Sequence, residues 1–253
     1  MVSVSVVIPA KNESDNITSL LDEIDAACAS VTDHEVIVVD DGSTDDTAAV
    51  VQALIATRPH LRLLRHDRSA GQSAAVHSGV RAASGAIVCT LDGDGQNPPA
   101  ELPKLFTPLL DPANAATGII AGQRVGRRDT LSKRLASRFA NGIRGWILND
   151  GTRDTGCGLK GFRREAFLAL PYFDHMHRYL PALFARDGWQ VGHVDVSHRP
   201  RGAGRSNYNN LQRGLVGIVD LMGVAWLLRR RKKARPSEAT PAEATPPARR
   251  TSA

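Results

Sequence analysis

The segment Asp-Gly-Asp-Gly-Gln at residues 92–96 has the residue types and spacing of a divalent-cation site. Asp92 and Asp94 follow the apolar run at residues 86–91, which is typical of a buried strand. Two carboxylates at a strand end can share one hard cation, which prefers oxygen ligands and keeps open positions for substrate phosphates. An ordinary Asp-Gly turn explains the same letters, so this segment alone leaves a metal site and a turn equally open.

A second acidic segment, Asp-Asp-Gly-Ser-Thr-Asp at residues 40–45, follows the apolar run at residues 36–39. Carboxylates at the carboxyl end of a strand can accept hydrogen bonds from a nucleobase N–H group or from ribose hydroxyls. Ser43 or Thr44 can also cap the helix that follows. The two roles are compatible, because capping does not require the two aspartates that precede it.

The elements that must position these segments alternate between strands and helices, the pattern of a parallel α/β sheet. In the first half we predict strands at residues 4–8, 35–39, 61–64 and 86–91, and helices at residues 12–31, 44–57 and 71–83, the first capped by Ser14 or Asp15. Both acidic segments then fall at the carboxyl ends of strands, where open α/β sheets place their sites.

The second half of the chain is less regular. We predict strands at residues 117–121, 156–162 and 189–196, the last at a sheet edge, and helices at residues 130–148, 177–187 and 207–228. The last residues are rich in Ala, Pro, Ser and Thr and predict a disordered tail. This divides the chain into a catalytic domain at residues 1–206, a basic helix at residues 207–235 and a tail at residues 236–253.

Composition bounds the class of protein. The 253 residues are 42% hydrophobic and 23% charged, enough for one sizeable core. The net charge of +6 lies at the C-terminus, because residues 229–253 hold eight basic and two acidic side chains and residues 1–228 hold 24 of each. A neutral domain argues against binding of nucleic acid. Three separated cysteines argue against a disulfide scaffold or a cysteine zinc site and fit a reducing compartment.

Taken together, three segments in order and spacing resemble glycosyltransferase family 2: Val-Ile-Pro-Ala-Lys-Asn-Glu at residues 7–13 and the two acidic segments. Later segments resemble its polyprenyl-phosphate branch, typified by dolichol-phosphate mannosyltransferase. These are Gly122-Gln-Arg124, Lys133-x-x-x-Ser137-Arg138, Cys157-Gly-Leu-Lys-Gly-Phe-Arg163 and Arg201-x-x-Gly204-x-Ser206. The resemblance covers residues 3–228.

The resemblance implies a GT-A fold, in which one Rossmann-like, mostly parallel sheet is flanked by helices and followed by a C-terminal amphipathic helix. It also implies inverting transfer from a GDP- or UDP-linked nucleotide-sugar to a polyprenyl phosphate. The residues implied to bind the nucleotide-sugar are Pro9, Ala10, Lys11, Glu13, Asp40, Asp41, Asp92, Gly93, Arg201 and Ser206. Those implied to hold Mg²⁺ or Mn²⁺ are Asp92, Asp94 and Gln96.

The choice of the remaining catalytic candidates depends on the chemistry of the acceptor substrate. A lipid phosphate is already ionised near neutral pH, so it needs orientation and charge screening rather than a general base. Arg124, Lys133 and Ser137 match the branch there, with Arg134 and Arg138 beside them, although a solvated basic helix face explains that run too. Asp154 would be the base if the acceptor were a sugar hydroxyl; for a phosphate it would position the donor or the arginines.

The predicted C-terminal helix indicates a membrane surface. Its apolar face comprises Leu211, Leu215, Ile218, Val219, Met222 and Trp226. The apolar part is too short to span a bilayer, and the basic run at residues 229–235 suits anionic lipid. A core helix with a solvated basic end is the alternative. With no signal peptide visible, we expect a peripheral protein on the cytoplasmic side, or one that depends on an integral membrane partner.

Two other interpretations are a family 2 transferase that acts on a sugar hydroxyl of a glycan or glycolipid, with Asp154 as base, and a protein that binds a membrane surface without catalysis. A membrane-surface binding module that keeps the fold without turnover would explain the helix but not the metal-type acidic segment. His175 and His177 resemble a metal pair, but no third ligand is in view and a surface turn explains them better.

Overall fold

Seven strands form one mixed sheet with helices on both faces, within the part of the chain that the computed structural model describes. That part comprises residues 2–30, 33–125, 142, 144–148, 150–199, 210–230 and 234. The strands are β1 (Val4–Ala10), β2 (His34–Asp40), β3 (Leu61–Arg65), β4 (Ile87–Thr90), β5 (Thr117–Arg124), β6 (Lys160–Arg163) and β7 (Gln190–Val196).

The helices lie between the strands and after β7. They are α1 (Ser14–Cys28), α2 (Thr47–Ile55), α3 (Gln72–Ala82), α4 (Leu102–Leu110), α5 (Arg164–Leu168), α6 (Leu180–Arg186) and α7 (Asn210–Arg229). Single 3₁₀ turns occur at Pro99–Glu101, Pro112–Asn114 and Met176–Arg178, and residues 144–148 are also helical.

The strand order is β3-β2-β1-β4-β6-β5-β7, and all strands but β6 run parallel. The chain proceeds outward from β1 through β2 to β3 and then returns to place β4 on the other side of β1. Ligands bind at such a reversal of strand order, in the crevice outside the carboxyl ends of the strands. The two acidic segments leave the sheet there, directly after β2 and β4. The GT-A expectation of one mostly parallel sheet is confirmed.

Burial on both faces explains why the strand sequences are continuous apolar runs. In β1, Val6 and Ile8 pack into a core under α1, α2 and α4, and Val7 packs into a second core under α3, α5 and α6. All three side chains are fully buried. The rigid sheet between two cores fixes where each strand ends, and so fixes the positions of the acidic segments.

Several boundaries differ from the sequence expectations. β1 continues through Pro9 to Ala10. The N-cap of α1 is Glu13 rather than Ser14 or Asp15, because the Glu13 carbonyl already accepts the first helical hydrogen bond, from the Ile17 N–H. The strand expected from residue 156 begins only at Lys160, and residues 156–159 form a loop. The helix expected at residues 177–187 is divided into a 3₁₀ turn and α6.

Other elements were missed or cannot be compared. Sequence analysis did not predict α4, whose prolines at residues 103 and 108 resemble loop residues, or the short helix α5. β7 lies at the sheet edge as expected. Most of the helix expected at residues 130–148 and the whole tail at residues 236–253 lie outside the described residues.

The C-terminal helix α7 packs on the domain through one side. Val224 is 2% exposed, the Tyr179 hydroxyl donates to the Gly217 carbonyl at 3.4 Å, and His175 Nδ1 lies 2.9 Å from Asp220 Oδ2. The side chains on the opposite side are 57–65% exposed, namely Ile218, Val219, Met222 and Trp226. Among the described residues, the structure contains no helix with both the length and the apolar character needed to cross a membrane.

Candidate active site

The loops after β1 and β2 are joined by reciprocal hydrogen bonds at the carboxyl edge of the sheet. The Asn12 N–H donates to Ser43 Oγ at 2.9 Å, and the Thr44 N–H donates to Asn12 Oδ1 at 2.8 Å. Asn12 adopts a φ of 56°, which an asparagine tolerates. Ser43 and Thr44 therefore bind the neighbouring loop; α2 has Asp46 at its N-cap, so the expectation that either residue caps α2 is wrong.

Groups of the protein itself occupy the hydrogen-bond acceptor positions of the Asp41 carboxylate. Its carboxylate accepts from His66 Nδ1, Ser69 Oγ and the N–H groups of Ala70 and Gly71, at 2.7 to 2.9 Å. Burial alone would raise the pKa of Asp41, but these four hydrogen bonds lower it below its ordinary value. A carboxylate has about four acceptor positions, so Asp41 holds the loop at residues 66–71 against the sheet.

Asp40 and Glu13, like Asp41, have carboxylates that accept hydrogen bonds from neighbouring residues of the protein. Asp40 is almost fully buried, and its Oδ1 accepts from the Ser43 N–H at 3.0 Å. The Glu13 N–H donates to Thr47 Oγ1 at 2.8 Å, and the Glu13 carboxylate accepts from Asn16 at 2.8 Å. Lys11 is exposed at the end of β1.

Asp92 lines a cavity at the carboxyl ends of the strands. Its Oδ1 accepts from Gln72 Nε2 at 2.7 Å and its Oδ2 from Asn97 Nδ2 at 3.3 Å. Burial and then the charge of Asp94 raise its pKa, while Lys160 and Arg124 oppose the rise. Burial therefore disfavours the ionised form of Asp92, and a bound cation would stabilise that form, whereas at Asp41 hydrogen bonds already do so.

Glycines let the backbone come close to these acidic groups. A Cβ added to Gly158 would collide with the Asp92 carboxylate, and the Gly158 carbonyl accepts from Thr90 Oγ1 at 2.8 Å. A Cβ on Gly93 would lie 3.2 Å from the Pro9 carbonyl oxygen and 3.5 Å from Ala10. The segment after β4 thus packs on the end of β1, with the loop at residues 156–159 over Asp92.

Arg124 and Asp154 form a two-pronged ion pair beside Asp92. Arg124 Nε donates to Asp154 Oδ2 at 2.6 Å and Nη2 to Oδ1 at 2.9 Å, and each side chain is 15% exposed. Hydrogen bonding to Asp154 raises the pKa of Arg124. Among the residues that the structure describes, none accepts a hydrogen bond from Arg124 Nη1, so this nitrogen keeps its donors for a ligand.

Gln96 and Asp94 belong to a loop that Arg199 holds. The Gln96 N–H donates to Asp94 Oδ1 at 3.1 Å, and the Gln96 carbonyl accepts from the Arg199 N–H at 3.0 Å. The Arg199 guanidinium also donates to the Gly95 carbonyl and pairs with Glu23 at 2.9 Å. Arg199 is not part of any motif recognised in the sequence, although its basic neighbour Arg201 is.

A cavity of about 210 Å³ lies where these segments converge. It brings together four residues chosen from the sequence, Pro9, Asp92, Gln96 and Arg124. It also contains residues that sequence analysis did not place in the site, including Gln72, Lys160, His177 and Arg178. Lys133, Ser137, Arg201 and Ser206 lie outside the described residues, as do Arg134 and Arg138.

His175 and His177 face different partners. His175 contacts Asp220 of α7, whereas His177 Nδ1 lies 2.7 Å from Ser73 Oγ and its side chain lines the cavity. They do not form a metal pair. Among the described residues, Asp25, His34 and His60 bring one ligand atom each within 4.8 Å of one another, but at the amino ends of β2 and β3, across the sheet from the cavity.

Comparison with known proteins confirms the family to which the sequence motifs are similar. The family described as Glycosyl transferase family 2 matches residues 5–170. An undecaprenyl-phosphate 4-deoxy-4-formamido-L-arabinose transferase of Edwardsiella ictaluri is 33% identical over 222 residues, which cover 87% of this chain and 65% of that protein. A dodecaprenyl-phosphate galacturonate synthase of Rhizobium johnstonii is 32% identical over 237 residues, which cover 92% and 68%. The chain thus spans slightly less than two thirds of the arabinose transferase.

Solved structures share the architecture. A mannosyltransferase from Pyrobaculum calidifontis, in complex with GDP-Man and Mn²⁺, superposes with a TM-score of 0.65 at 25% identity, covering 92% of this chain and 66% of that one. Glucosyl-3-phosphoglycerate synthase from Mycobacterium tuberculosis superposes with a TM-score of 0.67 at 21% identity, covering 88% and 79%. The second likeness concerns the fold alone.

Proposed function

The chain belongs to glycosyltransferase family 2, and we propose that it is a hexosyltransferase of the polyprenyl-phosphate branch. In this proposal it moves a sugar, with inversion, from a GDP- or UDP-linked nucleotide-sugar to a polyprenyl phosphate, using Mg²⁺ or Mn²⁺. The relatives named above support the acceptor class, because both are named for transfer to a polyprenyl phosphate.

The observation that carries the proposal is the arrangement of charge in the cavity. Asp92 and Arg124 line the same cavity. Asp94 lies close enough to Asp92 to raise its pKa. Asp154 forms an ion pair with Arg124, and neither Asp94 nor Asp154 lines the cavity itself. The two aspartates at residues 92 and 94 suit a cation and a nucleoside diphosphate, and the ion pair presents a guanidinium to an acceptor phosphate. A site for joining two phosphorylated substrates needs both.

The donor set fits the metal. Asp92 and Asp94 offer carboxylate oxygens, which Mg²⁺ and Mn²⁺ prefer. Asp92 and Gln96 line the cavity, and Asp94 accepts a hydrogen bond from the Gln96 N–H. Gln72, which also lines the cavity, and Asn97 orient the Asp92 carboxylate through hydrogen bonds, as the neighbours of metal ligands commonly do. When bound, the cation would neutralise the charge that develops on the departing diphosphate.

The Arg124–Asp154 pair favours a phosphate acceptor over a hydroxyl acceptor. A general base must be free to accept a proton, whereas both oxygens of Asp154 accept hydrogen bonds from Arg124. Asp154 therefore fixes the guanidinium plane, and Arg124 orients and screens the phosphate. Lys133 and Ser137 would complete the acceptor site, as the family resemblance implies.

The exposed apolar side of α7 supports action at a membrane surface. Met222 and Trp226 lie on that side, and exposed Arg229 and Arg230 follow it. An apolar helix face next to basic residues binds at the boundary of anionic lipid headgroups and acyl chains. We place the protein peripherally on the cytoplasmic side of the membrane, where a polyprenyl phosphate presents its headgroup, with an integral membrane protein as a further partner.

A product assay tests the proposal. The full chain is incubated with radiolabelled UDP- or GDP-sugars and polyprenyl phosphate in the presence of Mn²⁺, and label is counted in the lipid extract before and after mild acid. We expect acid-labile lipid label that EDTA abolishes and that Asp94→Asn lowers about a hundredfold or more. Asp15→Asn, which removes an exposed carboxylate of α1, is the matched control and should retain activity.

Two results would contradict the proposal. Undiminished transfer in excess EDTA would remove the metal from the mechanism. Label that enters only acid-stable glycan, with an inactive Asp154→Asn variant, would favour a sugar hydroxyl as the acceptor.

A further inference from the structure

Two cationic side chains of the cavity have no acidic partner. Lys160 is 4% exposed, and its ammonium group donates to the Cys157 carbonyl. Arg178 lines the same cavity, and its side chain makes no hydrogen bond or ion pair with the residues that the structure describes. Buried charges in proteins are almost always paired, so the buried Lys160 beside the partly buried Arg178 at one cavity wall indicates an anionic ligand.

The neighbouring His177 adds a neutral hydrogen-bond donor. Burial, and then the charges of Lys160 and Arg178, hold its pKa well below the ordinary value, so the ring is neutral with one N–H. Ser73 Oγ accepts from the His177 backbone N–H at 3.3 Å and lies 2.7 Å from Nδ1. With Ser73 Oγ donating to Nδ1, the ring proton is on Nε2, and this is the tautomer that the subsite requires.

The nearest carboxylate does not supply the missing partner. Burial lowers the pKa of Lys160, and the nearby charge of Asp92 only partly opposes this. Asp92 forms no ion pair with Lys160 in the described structure. If Asp92 holds a divalent cation, as proposed above, its charge is already balanced. Lys160, His177 and Arg178 then face the cavity as an excess of donors.

We propose that Lys160, His177 and Arg178 form an oxyanion-binding subsite for the donor substrate. It takes a phosphate or carboxylate group, supplied by the β-phosphate of the nucleoside diphosphate or by an acidic sugar. This inference rests on the proposed function, because it names the donor chemistry of the same site. The proposed metal-binding and acceptor-binding residues do not include the 3₁₀ turn at Met176–Arg178. The subsite gives this turn a role in binding the donor.

Binding measurements on the full chain test the subsite. Titration calorimetry in Mn²⁺ first identifies which of UDP and GDP binds the wild type. The variants Lys160→Met, His177→Gln and Arg178→Gln are then compared using that nucleoside as monophosphate, diphosphate, neutral nucleotide-sugar and nucleotide-uronate. Hydrogen bonds to charged groups are worth about 1.5–3 kcal/mol, so each variant should bind the preferred probe about ten- to hundredfold more weakly.

The probes distinguish the two sources of the oxyanion. If the subsite takes the β-phosphate, affinity falls for the diphosphate and both nucleotide-sugars but not for the monophosphate. If it takes a sugar carboxylate, affinity falls for the uronate alone. Arg81→Gln, which removes an exposed charge at the far end of α3, should leave every probe unchanged.

Other outcomes overturn the inference. Wild-type affinity for every probe in all three variants would show that no oxyanion is bound there. An equal loss that includes the monophosphate would place the effect at the α-phosphate or the nucleoside, and so exclude both the β-phosphate and a sugar carboxylate. In either case the proposed function stands, whereas a wild type that binds neither UDP nor GDP would refute both. Circular dichroism and the Tm verify folding; if the buried Lys160→Met does not fold, the other two variants decide.

Discussion

At the scale of single residues, neighbours decide what an aspartate does. Asp41 and Asp92 both follow a central strand, but four donors surround Asp41 and lower its pKa, whereas burial and then the charge of Asp94 raise the pKa of Asp92. The first carboxylate is a structural brace and the second stores unfavourable charge at the cavity. Sites that bind cations commonly carry such a cost to stability.

We predict that Asp92→Asn separates metal binding from stability. A raised pKa means that the ionised carboxylate is less favourable in the folded protein than in the unfolded chain, so at pH 7 it lowers the free energy of unfolding. The metal-free variant should have a Tm no lower than the wild type, and Mn²⁺ should no longer raise it. Thermal unfolding with and without Mn²⁺ measures both; a large loss of Tm without metal would contradict this account.

Arg124 and Asp154 give a second residue-scale prediction. Arg124→Ala should reduce kcat/KM for transfer to polyprenyl phosphate by roughly thirtyfold or more, since loss of a cation from a buried pair costs about 2–5 kcal/mol. Asp154→Asn keeps one acceptor for Arg124 and should retain the acidic limb of the pH–rate profile. An inactive Asp154→Asn lacking that limb, beside a nearly unaffected Arg124→Ala, would establish Asp154 as the base.

At the scale of elements, loops rather than strands complete the site. The loop at residues 156–159 precedes β6 and lies over Asp92, and Thr90 of β4 holds it through the Gly158 carbonyl. The antiparallel β6 is thus what delivers this loop to the carboxyl end of β4.

Gly158→Ala should therefore damage function more than folding. A methyl group at this position would collide with the Asp92 carboxylate, so Mn²⁺ affinity and turnover should both fall at least about tenfold. The control is Gly223→Ala in α7, which meets open space and should raise stability by about 0.5–1 kcal/mol. Equal Mn²⁺ affinity in Gly158→Ala and the wild type would show that the loop does not constrain Asp92.

Local patterns predicted the parts of this fold that depend on neighbouring residues. The buried strands are visible as apolar runs, and the acidic segments were expected at the correct strand ends. The helix α4 is not predictable from local propensity, because it contains a proline. It forms nevertheless, since the packing of Leu105 and Phe106 into the core outweighs that propensity. Sequence spacing alone could not have joined Ser73 to His177, which are 104 residues apart and meet only through the topology.

At the scale of the whole molecule, opposite surfaces of α7 have opposite environments. Val224 is buried on the domain, whereas Met222 and Trp226 extend from it, and Arg229 and Arg230 continue the helix end. The sequence showed the apolar face, but the structure adds that the domain does not cover it. A soluble surface rarely leaves such a face unpartnered, and anionic lipid matches both its apolar and its basic parts.

We predict that this surface, and not the active site, controls membrane attachment. Met222→Glu with Trp226→Glu should weaken binding to anionic vesicles at least about tenfold, because each apolar side chain contributes roughly 1.5–3 kcal/mol on burial. Ending the chain after Leu228 should weaken it further, at about 1 kcal/mol per basic residue removed from the lipid surface. Nucleotide binding and Tm should stay unchanged, as should vesicle binding of Leu110→Glu, an exposed apolar control on α4. Vesicle sedimentation measures the effect, and undiminished sedimentation of both α7 variants would remove the membrane from the proposed function.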